Sequence, residues 1–463
     1  MAHHRTPHRA HHSYRWAIAG LALGLLVGAC ETTVIPPAPV ASAPVAPQSP
    51  PTATPPAQTE PVTAPSKYGF AFRSSGDPRF DTWRDEFGEK AKLEGRQDAV
   101  IISVLDAITP VPDAVQTQTF DNQAEFVKPI WDYARSAVSA SRISNGQAKL
   151  AENRAIFDSV EAGYNPPREI VAAIWGMESA YGAVIGNLDV PTVLASQAAM
   201  GRRKDFNEGE LMAIMQLIEK GAATRDDFRK GSFAGAVGQT QFMPSTFLRY
   251  AADFDKDGRE DLWFNTGDAI TSAANYLEEM GWKKGEPWAV EATIPEGFDY
   301  SNGDFRKMTV AEWKKLGLAP ATKAQLSADE SLQAELFLPA GSFGPAFLLF
   351  DNFYVIKKYN NADSYALAIG LLADRLAGGS DLSRPWPVDM PLLTQDQAKQ
   401  LQSALNTLGY NAGNVDGVIG RGTRGALQKF QKDKGLVADG FPSVDMLGQV
   451  LAAAPKVDVA AAP

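Results

Sequence analysis

The stretch REIVAAIWGMESAYG, residues 168–182, decides how the chain folds and where its chemistry lies. Asn165-Pro166-Pro167 stops the preceding segment and restarts the chain, because proline is tolerated in a first helical turn. Ile170, Ile174, Met177 and Tyr181 then share one face at helical spacing, with Val171, Trp175 and Glu178 on an adjacent stripe. An apolar helix of this kind predicts a mainly helical core, and Glu178 emerges from it beside a tryptophan and aliphatic groups. Desolvation disfavours the charged form of such a carboxyl, so it keeps its proton near neutral pH and suits general-acid work. The position equally fits a glutamate that snorkels at a helix end or pairs with Arg202 or Arg203.

The rest of the chain narrows the chemistry. All five histidines precede the only cysteine, Cys30. Arg5, Arg9 and Arg15 form a basic start, Ala17 to Val27 a short apolar run, and Val27-Gly28-Ala29-Cys30 a small-residue cleavage site. Residues 1–30 resemble a bacterial lipoprotein signal, which implies cleavage before Cys30 and its lipidation. A chain starting there has no histidine and no free thiol. Ser-His-Asp triads, Cys-His pairs and histidine-ligated zinc are then excluded, leaving carboxylates, Lys, Tyr or water as acids and bases. Glu31 follows the cysteine; the resemblance to lipoproteins without an aspartate retention signal implies an anchor in the outer membrane, with the protein facing the periplasm.

Residues 31–66 are mostly Pro, Ala, Thr, Val and Ser, with no hydrophobic periodicity and nearly no charge, and predict a disordered tether that buries no core. At about 3 Å per residue it would reach on the order of 100 Å. The formal charge of the whole chain is −10, and losing the leader arginines makes the remainder more acidic, which excludes nucleic acid as a partner. No second apolar run approaches a membrane span.

Residues 67–377 read as one mainly α (α+β) domain. Phe80, Trp83, Phe87 and Ala91, then Val100, Ile101, Val104, Leu105 and Ile108, then Phe126, Ile130, Trp131 and Ala134 recur at helical spacing. Trp288 to Thr293, Glu335 to Leu338 and Ala346 to Phe350 are short, apolar and bounded by Pro and Gly, and predict a small β insertion around a helix at 310–318. Helices resume near Phe353. Gly378, Gly379, Pro385 and Pro387 mark a linker over 378–389. Residues 390–454 read as a small three-helix domain, and 455–463 as a disordered tail.

Two motifs carry a resemblance. Glu178-Ser179-Ala180-Tyr181-Gly182 and Gly235-Ala236-Val237-Gly238-Gln239-Thr240-Gln241-Phe242-Met243-Pro244-Ser245-Thr246, extended by Asp261-Leu262-Trp263, Asp268-Ala269-Ile270, Asn352-Phe353 and Tyr359-Asn360, resemble the membrane-bound lytic murein transglycosylase B family from about Phe80 to Ala377. This implies a lysozyme-like catalytic domain with Glu178 as catalytic residue. It also implies a substrate site drawn from Ser179, Tyr181, Ser232, Gln241, Phe242, Tyr359 and Asn360. Tyr359 and Asn360 make physical sense there, since a sugar needs a flat apolar platform and a directional amide. Of Gln239 and Gln241, on a helix only one would face the cleft, and the resemblance selects Gln241. Tyr365 fits a buried helix as well as a site. Leu401, Leu405, Leu408-Gly409-Tyr410, Val415-Asp416-Gly417, Phe430-Gln431 and Asp439-Gly440 resemble the three-helix peptidoglycan-binding domain over about Leu393 to Leu451.

Asp253, Asp255, Asp257, Gly258 and Arg259 have the spacing of the first half of an EF-hand calcium loop, but Phe264 stands where its bidentate glutamate belongs. The resemblance offers Asp268 as the closing ligand, for a structural Ca2+ that the chemistry does not require. The reaction the family implies is non-hydrolytic cleavage between MurNAc and GlcNAc by one glutamate, acid then base, with a 1,6-anhydro product. Two rivals stand beside it: a hydrolase using Glu178 with Asp189 or Asp205, and a catalytically silent wall-binding anchor. The partners implied are peptidoglycan glycan strands, a lipid bilayer through acylated Cys30, and cell-wall synthesis proteins.

Overall fold

The computed structural model describes residues 69–111, 125, 128–300, 306–322 and 329–455. The leader, Cys30, the tether, Phe126 and the tail from residue 456 lie outside them. Helices α1 (Pro78–Leu93) and α2 (Asp98–Leu105) come first. The carboxylate of Asp77 accepts the N–H groups of Arg79 and Phe80 and fixes the start of α1. Then follow α3 (Ile130–Ala137), α4 (Ala140–Glu152), α5 (Arg154–Gly163) and α6 (Arg168–Ser179), and after them α7 (Val190–Ala199), α8 (Lys204–Glu219), α9 (Pro244–Tyr250) and α10 (Thr266–Glu279).

Helix α6 is the axis of the domain. Every residue from Ile170 to Gly176 is buried, so the two expected stripes widen into a helix covered on all sides. Ala172, Ala173 and Gly176 are small, which lets neighbours close over the faces left open by the larger residues. The neighbours are α4, α5 and α10, together with α13 (Asp363–Leu376), a second helix buried from Ser364 to Ala373. Tyr181 returns across this bundle, and a Cβ on Gly176 would lie 2.4 Å from its Cζ.

Among the described residues the predicted insertion is a sheet of five strands, two of them too short for the pattern to show. Strands β1 (Ala289–Thr293), β2 (Lys307–Thr309), β3 (Ala319–Pro320), β4 (Gln333–Phe337) and β5 (Ala346–Leu349) lie in the order β2-β4-β5-β1-β3, all antiparallel. Alternation splits each central strand between two cores. Val290, Ala334, Leu336, Ala346 and Leu348 pack with Trp313 of α11 (Val310–Lys315), whereas Ala289, Phe337, Phe347 and Leu349 join the main core. Helix α12 (Asp351–Tyr359) leads from the sheet back to α13.

The C-terminal domain is the expected three helices, α14 (Gln395–Thr407), α15 (Arg421–Asp433) and α16 (Val444–Ala453), around Leu401, Leu405, Leu427, Phe430 and Val450. The linker before it is not a free hinge. Buried Glu291 of β1 accepts the N–H and hydroxyl of Ser383 and the N–H of Arg384. The helical domain is seated on the sheet: Asp439 accepts the N–H of Ser342, Arg424 donates to the carbonyl of Leu338, and Phe441 packs with Trp131 and Ala340.

Alanine at Gly176 tests the packing of α6. In an open helix Gly→Ala stabilises by about 1 kcal/mol. Here the new methyl meets the Tyr181 ring, and overpacking costs typically ~1–3 kcal/mol. Urea denaturation of Gly176→Ala is expected to show a net loss of stability; a gain would mean that Tyr181 yields freely.

Candidate active site

Helix α6 ends abruptly just after Glu178. Ala180, Tyr181 and Gly182 have φ of 50°, 61° and 82°, a left-handed run that side chains other than glycine resist. Buried anchors hold it. The Ser179 hydroxyl donates to the Trp175 carbonyl at 3.2 Å and accepts the Gly182 N–H at 2.9 Å. The Tyr181 hydroxyl donates to the Arg142 carbonyl at 2.9 Å, and its ring meets Trp175 edge-on. Ser179, 1 % exposed, and buried Tyr181 thus shape the turn that presents Glu178, and neither offers its polar atom to a ligand; this corrects their expected place on the substrate.

Glu178 is half-buried and accepts a 2.5 Å hydrogen bond at Oε1 from the hydroxyl of Tyr365, which is 2 % exposed. Burial pushes the carboxyl up to about 7, and the charge of Glu125 adds to this while the Tyr365 hydrogen bond opposes it. Among the described residues no ion pair joins Glu178 to Arg202 or Arg203. Burial, and then the charges of Glu125 and Glu178, also push the Tyr133 phenol upward.

The second motif is a tight loop rather than a helix or an extended strand. Val237 and Phe242 pair across a four-residue turn, and Gln241 has φ 49°. Gly235 and Gly238 are required by close packing within the protein. A Cβ on Gly235 would lie 2.6 Å from Leu194 Cδ2, and one on Gly238 2.7 Å from the Leu262 carbonyl oxygen. Buried Gln239 accepts from Trp175 Nε1 at 3.0 Å, tying the loop to α6. Half-buried Gln241 donates its amide to the carbonyls of Gly238 and Ile185, leaving its amide oxygen for a ligand. Ser232 is half-buried and accepts the Ala236 N–H, closing the turn before the loop.

Phe242 is buried and packs at 5.7–5.8 Å from the rings of Tyr359 and Tyr276, so it supports the platform and is no part of its surface, contrary to expectation. Half-buried Tyr359 donates to the Thr240 carbonyl at 2.6 Å and lies nearly parallel to Tyr365. Asn360 follows it and donates Nδ2 to Glu125 Oε1 at 3.1 Å. The elements therefore bring together Glu178, Tyr365, Tyr359, Asn360 and Gln241 through shared loops and stacked rings. Tyr365, Tyr133 and Glu125 were not selected from sequence. A tyrosine hydroxyl inside an otherwise aliphatic helix was the available signal for Tyr365, since such a group needs a partner.

The acidic loop folds back on itself. Asp253 accepts the N–H groups of Lys256 and Gly258, and Asp268, fully buried, accepts those of Phe254 and Asp261. Carboxylate oxygens of Asp253, Asp255 and Asp268 lie within 4.8 Å of one another. Burial pushes Asp268 up to about 6, with the charges of Asp255 and Asp253 adding to it. An oxygen-only donor set with this much negative charge fits a hard divalent cation. Asp257 accepts from the Arg259 N–H and is not in the converging group, while the Arg259 side chain pairs with Asp227, so only its carbonyl remains for a metal.

A helical domain whose central helix ends in a protonatable glutamate, walled by tyrosines and amides, defines a lysozyme-like glycan-cleaving class. Residues 79–374 match the family described as transglycosylase SLT domain, and residues 394–449 match the peptidoglycan binding domain. The chain belongs to this lytic transglycosylase family and is an enzyme. It is 30 % identical over 321 residues to membrane-bound lytic murein transglycosylase B of Escherichia coli, covering 65 % of this chain and 84 % of that protein. Among solved structures it is similar to SltB3 of Pseudomonas aeruginosa in complex with NAG-anhNAM-pentapeptide, at TM-score 0.76 and 39 % identity, over 81 % of this chain and 100 % of that one. It is also similar to the E. coli lytic transglycosylase Slt35 in complex with calcium, at TM-score 0.53 and 28 % identity, over 65 % and 93 % of the two chains.

Because the folded-state carboxyl of Glu178 lies above its unfolded value, its favourable contribution is present at low pH and is lost as pH rises through about 7. Glu178→Gln cannot ionise, so its melting temperature relative to wild type is expected to climb between pH 5 and pH 8. A constant difference would mean that Glu178 is not desolvated.

Proposed function

We propose that this enzyme cleaves the β-1,4 bond between MurNAc and GlcNAc of peptidoglycan without consuming water. The observation that carries the proposal is the Glu178 carboxyl at the end of a buried helix, oriented by a 2.5 Å hydrogen bond from Tyr365, with burial raising its affinity for a proton. Tyr365 donates to Oε1 and leaves Oε2 for the proton exchanged with substrate. Glu178 gives that proton to the glycosidic oxygen as the bond to MurNAc C1 breaks. The acetamido oxygen of the same sugar supports the positive charge at C1. The Glu178 carboxylate then takes the proton of the MurNAc C6 hydroxyl, whose oxygen bonds to C1 and closes the 1,6-anhydro ring. Each proton and bond is accounted for, and Glu178 ends as it began.

A hydrolase would need a second carboxylate free to activate water. Asp189 caps α7 and is held by Arg225 and Thr192 through both oxygens, and Asp205 is exposed in the first turn of α8. The geometry thus favours neither of the partners that the hydrolytic rival requires. A silent wall anchor has no use for a desolvated acid at the end of a buried helix.

Mass spectrometry of muropeptides released from purified peptidoglycan distinguishes the readings. Wild type is expected to release anhydro ends, lighter by one water than reducing ends, and Glu178→Gln to lose at least about 10³-fold in rate while staying folded. Reducing ends would overturn the proposal. The rate is expected to fall as pH rises above about 7, where the acid is deprotonated.

Two further readings belong with this function. The leader sequence and a relative named membrane-bound support an outer-membrane lipid anchor at Cys30, with the enzyme facing the periplasm. Cys30→Ala is expected to move the protein from the membrane fraction to the soluble periplasm. The loop of Asp253, Asp255 and Asp268 would hold a structural Ca2+. At a hundred times its dissociation constant the ion would stabilise the fold by about 2.7 kcal/mol, a rise in melting temperature that EGTA reverses and Asp268→Asn abolishes.

A further inference from the structure

Glu125 lies 235 residues from Asn360 in the chain, yet its carboxylate accepts the Asn360 amide at 3.1 Å. Its backbone carbonyl accepts the hydroxyl of Ser364 at 2.6 Å, and Ser364 immediately precedes Tyr365, the donor to Glu178. One residue therefore touches both the residue that ends α12 and the first turn of α13, and it does so through two separate groups. The chemistry of the first contact is directional. An ionised carboxylate has only acceptors, so the nitrogen of the Asn360 amide must face Glu125 and the oxygen must face away. Without Glu125 the amide is free to rotate by half a turn and present a donor instead.

We propose that Glu125 is a positioning residue that fixes the orientation of the Asn360 amide, so that Asn360 meets the acetamido group of the substrate with its oxygen. This rests on the reading that Asn360 contacts an N-acetyl sugar. An amide oxygen accepts the acetamido N–H and leaves the acetamido carbonyl unengaged. That carbonyl is the group the proposed reaction needs at C1, and a hydrogen bond drawn from the N–H side increases its electron density. The reversed amide would instead donate to the carbonyl and compete with its attack. The Ser364 contact uses the Glu125 backbone, so a change of the Glu125 side chain removes the orienting contact and keeps the clamp on α13.

Steady-state kinetics on uncrosslinked, fully N-acetylated glycan strands test this, with Asn360→Ala, Glu125→Ala, Glu125→Gln and the double variant Glu125→Ala/Asn360→Ala. Near-ultraviolet circular dichroism and melting temperature establish that each is folded. Asn360→Ala and Glu125→Ala are each expected to lose about 10- to 100-fold in kcat/KM, in the same parameter, the range for losing a hydrogen bond with a charged partner. Glu125→Gln keeps an acceptor oxygen and is expected to recover most of that loss. The double variant is expected to be no worse than Asn360→Ala alone, because Glu125 acts through Asn360. Losses that multiply, or an unimpaired Glu125→Ala beside an impaired Asn360→Ala, would overturn the role of Glu125 and leave that of Asn360 standing. An unimpaired Asn360→Ala would overturn the contact with the sugar itself. Should Glu125→Ala not fold, a Glu125→Gln as impaired as Asn360→Ala would count against orientation and for charge.

Discussion

A helix covered on every side must still deliver one polar group to solvent, and the architecture follows from that constraint. Helix α6 contributes an unbroken apolar cylinder from Ile170 to Gly176, and its neighbours can close over it because Ala172, Ala173 and Gly176 leave room. Burial on this scale is favourable at roughly 25 cal/mol per Å2 of apolar surface, and it offsets the cost of three left-handed residues directly after the helix. Those residues turn the chain away at once, so that Glu178 stands at a rim instead of inside a continuing helix. Moving the glutamate by one residue along the helix would rotate its carboxyl by about 100° and carry it off this rim.

The same helix organises what surrounds the acid. Trp175 reaches Gln239 and fixes the loop that carries Gln241, and the loop in turn accepts Tyr359 through the Thr240 carbonyl. Tyr359 stacks with Tyr365, which holds Glu178. The circuit returns to the helix it started from. Each hydrogen bond of the circuit joins elements distant in sequence, and each member removes a rotation that the acid or the amide would otherwise have. Rotations removed in advance need not be frozen when a substrate arrives.

Much of this was legible in the amino-acid sequence, and the boundary of legibility is physical. Helical periodicity located α1, α2 and α6, and the desolvation of Glu178 followed from its neighbours Trp175 and Val171. The strands β1, β4 and β5 were visible because they are apolar runs between turn residues, but β2 and β3 are too short to have a period. The substrate residues were read less well. Ser179, Tyr181 and Phe242 are adjacent to the site in sequence, yet their side chains are spent on backbone carbonyls or on ring packing, a distinction that depends on which way a left-handed turn points. Glu125 was invisible because its meaning lies in a contact with Asn360 and in no local pattern. In the acidic loop the spacing identified Asp253 and Asp255, whereas only the fold brings Asp268 against them.

The seating of the C-terminal helices on the sheet alters how the molecule explores its surroundings. With Glu291 gripping Ser383 and Arg384, and Asp439 and Arg424 bonded to the loop at 338–342, the linker contributes no polymer-like averaging of distance between α14–α16 and the acid. Flexible linkers give a second site an effective concentration that spreads over a volume. A docked pair behaves instead as a caliper: a strand held at one jaw meets the other at a single offset and heading.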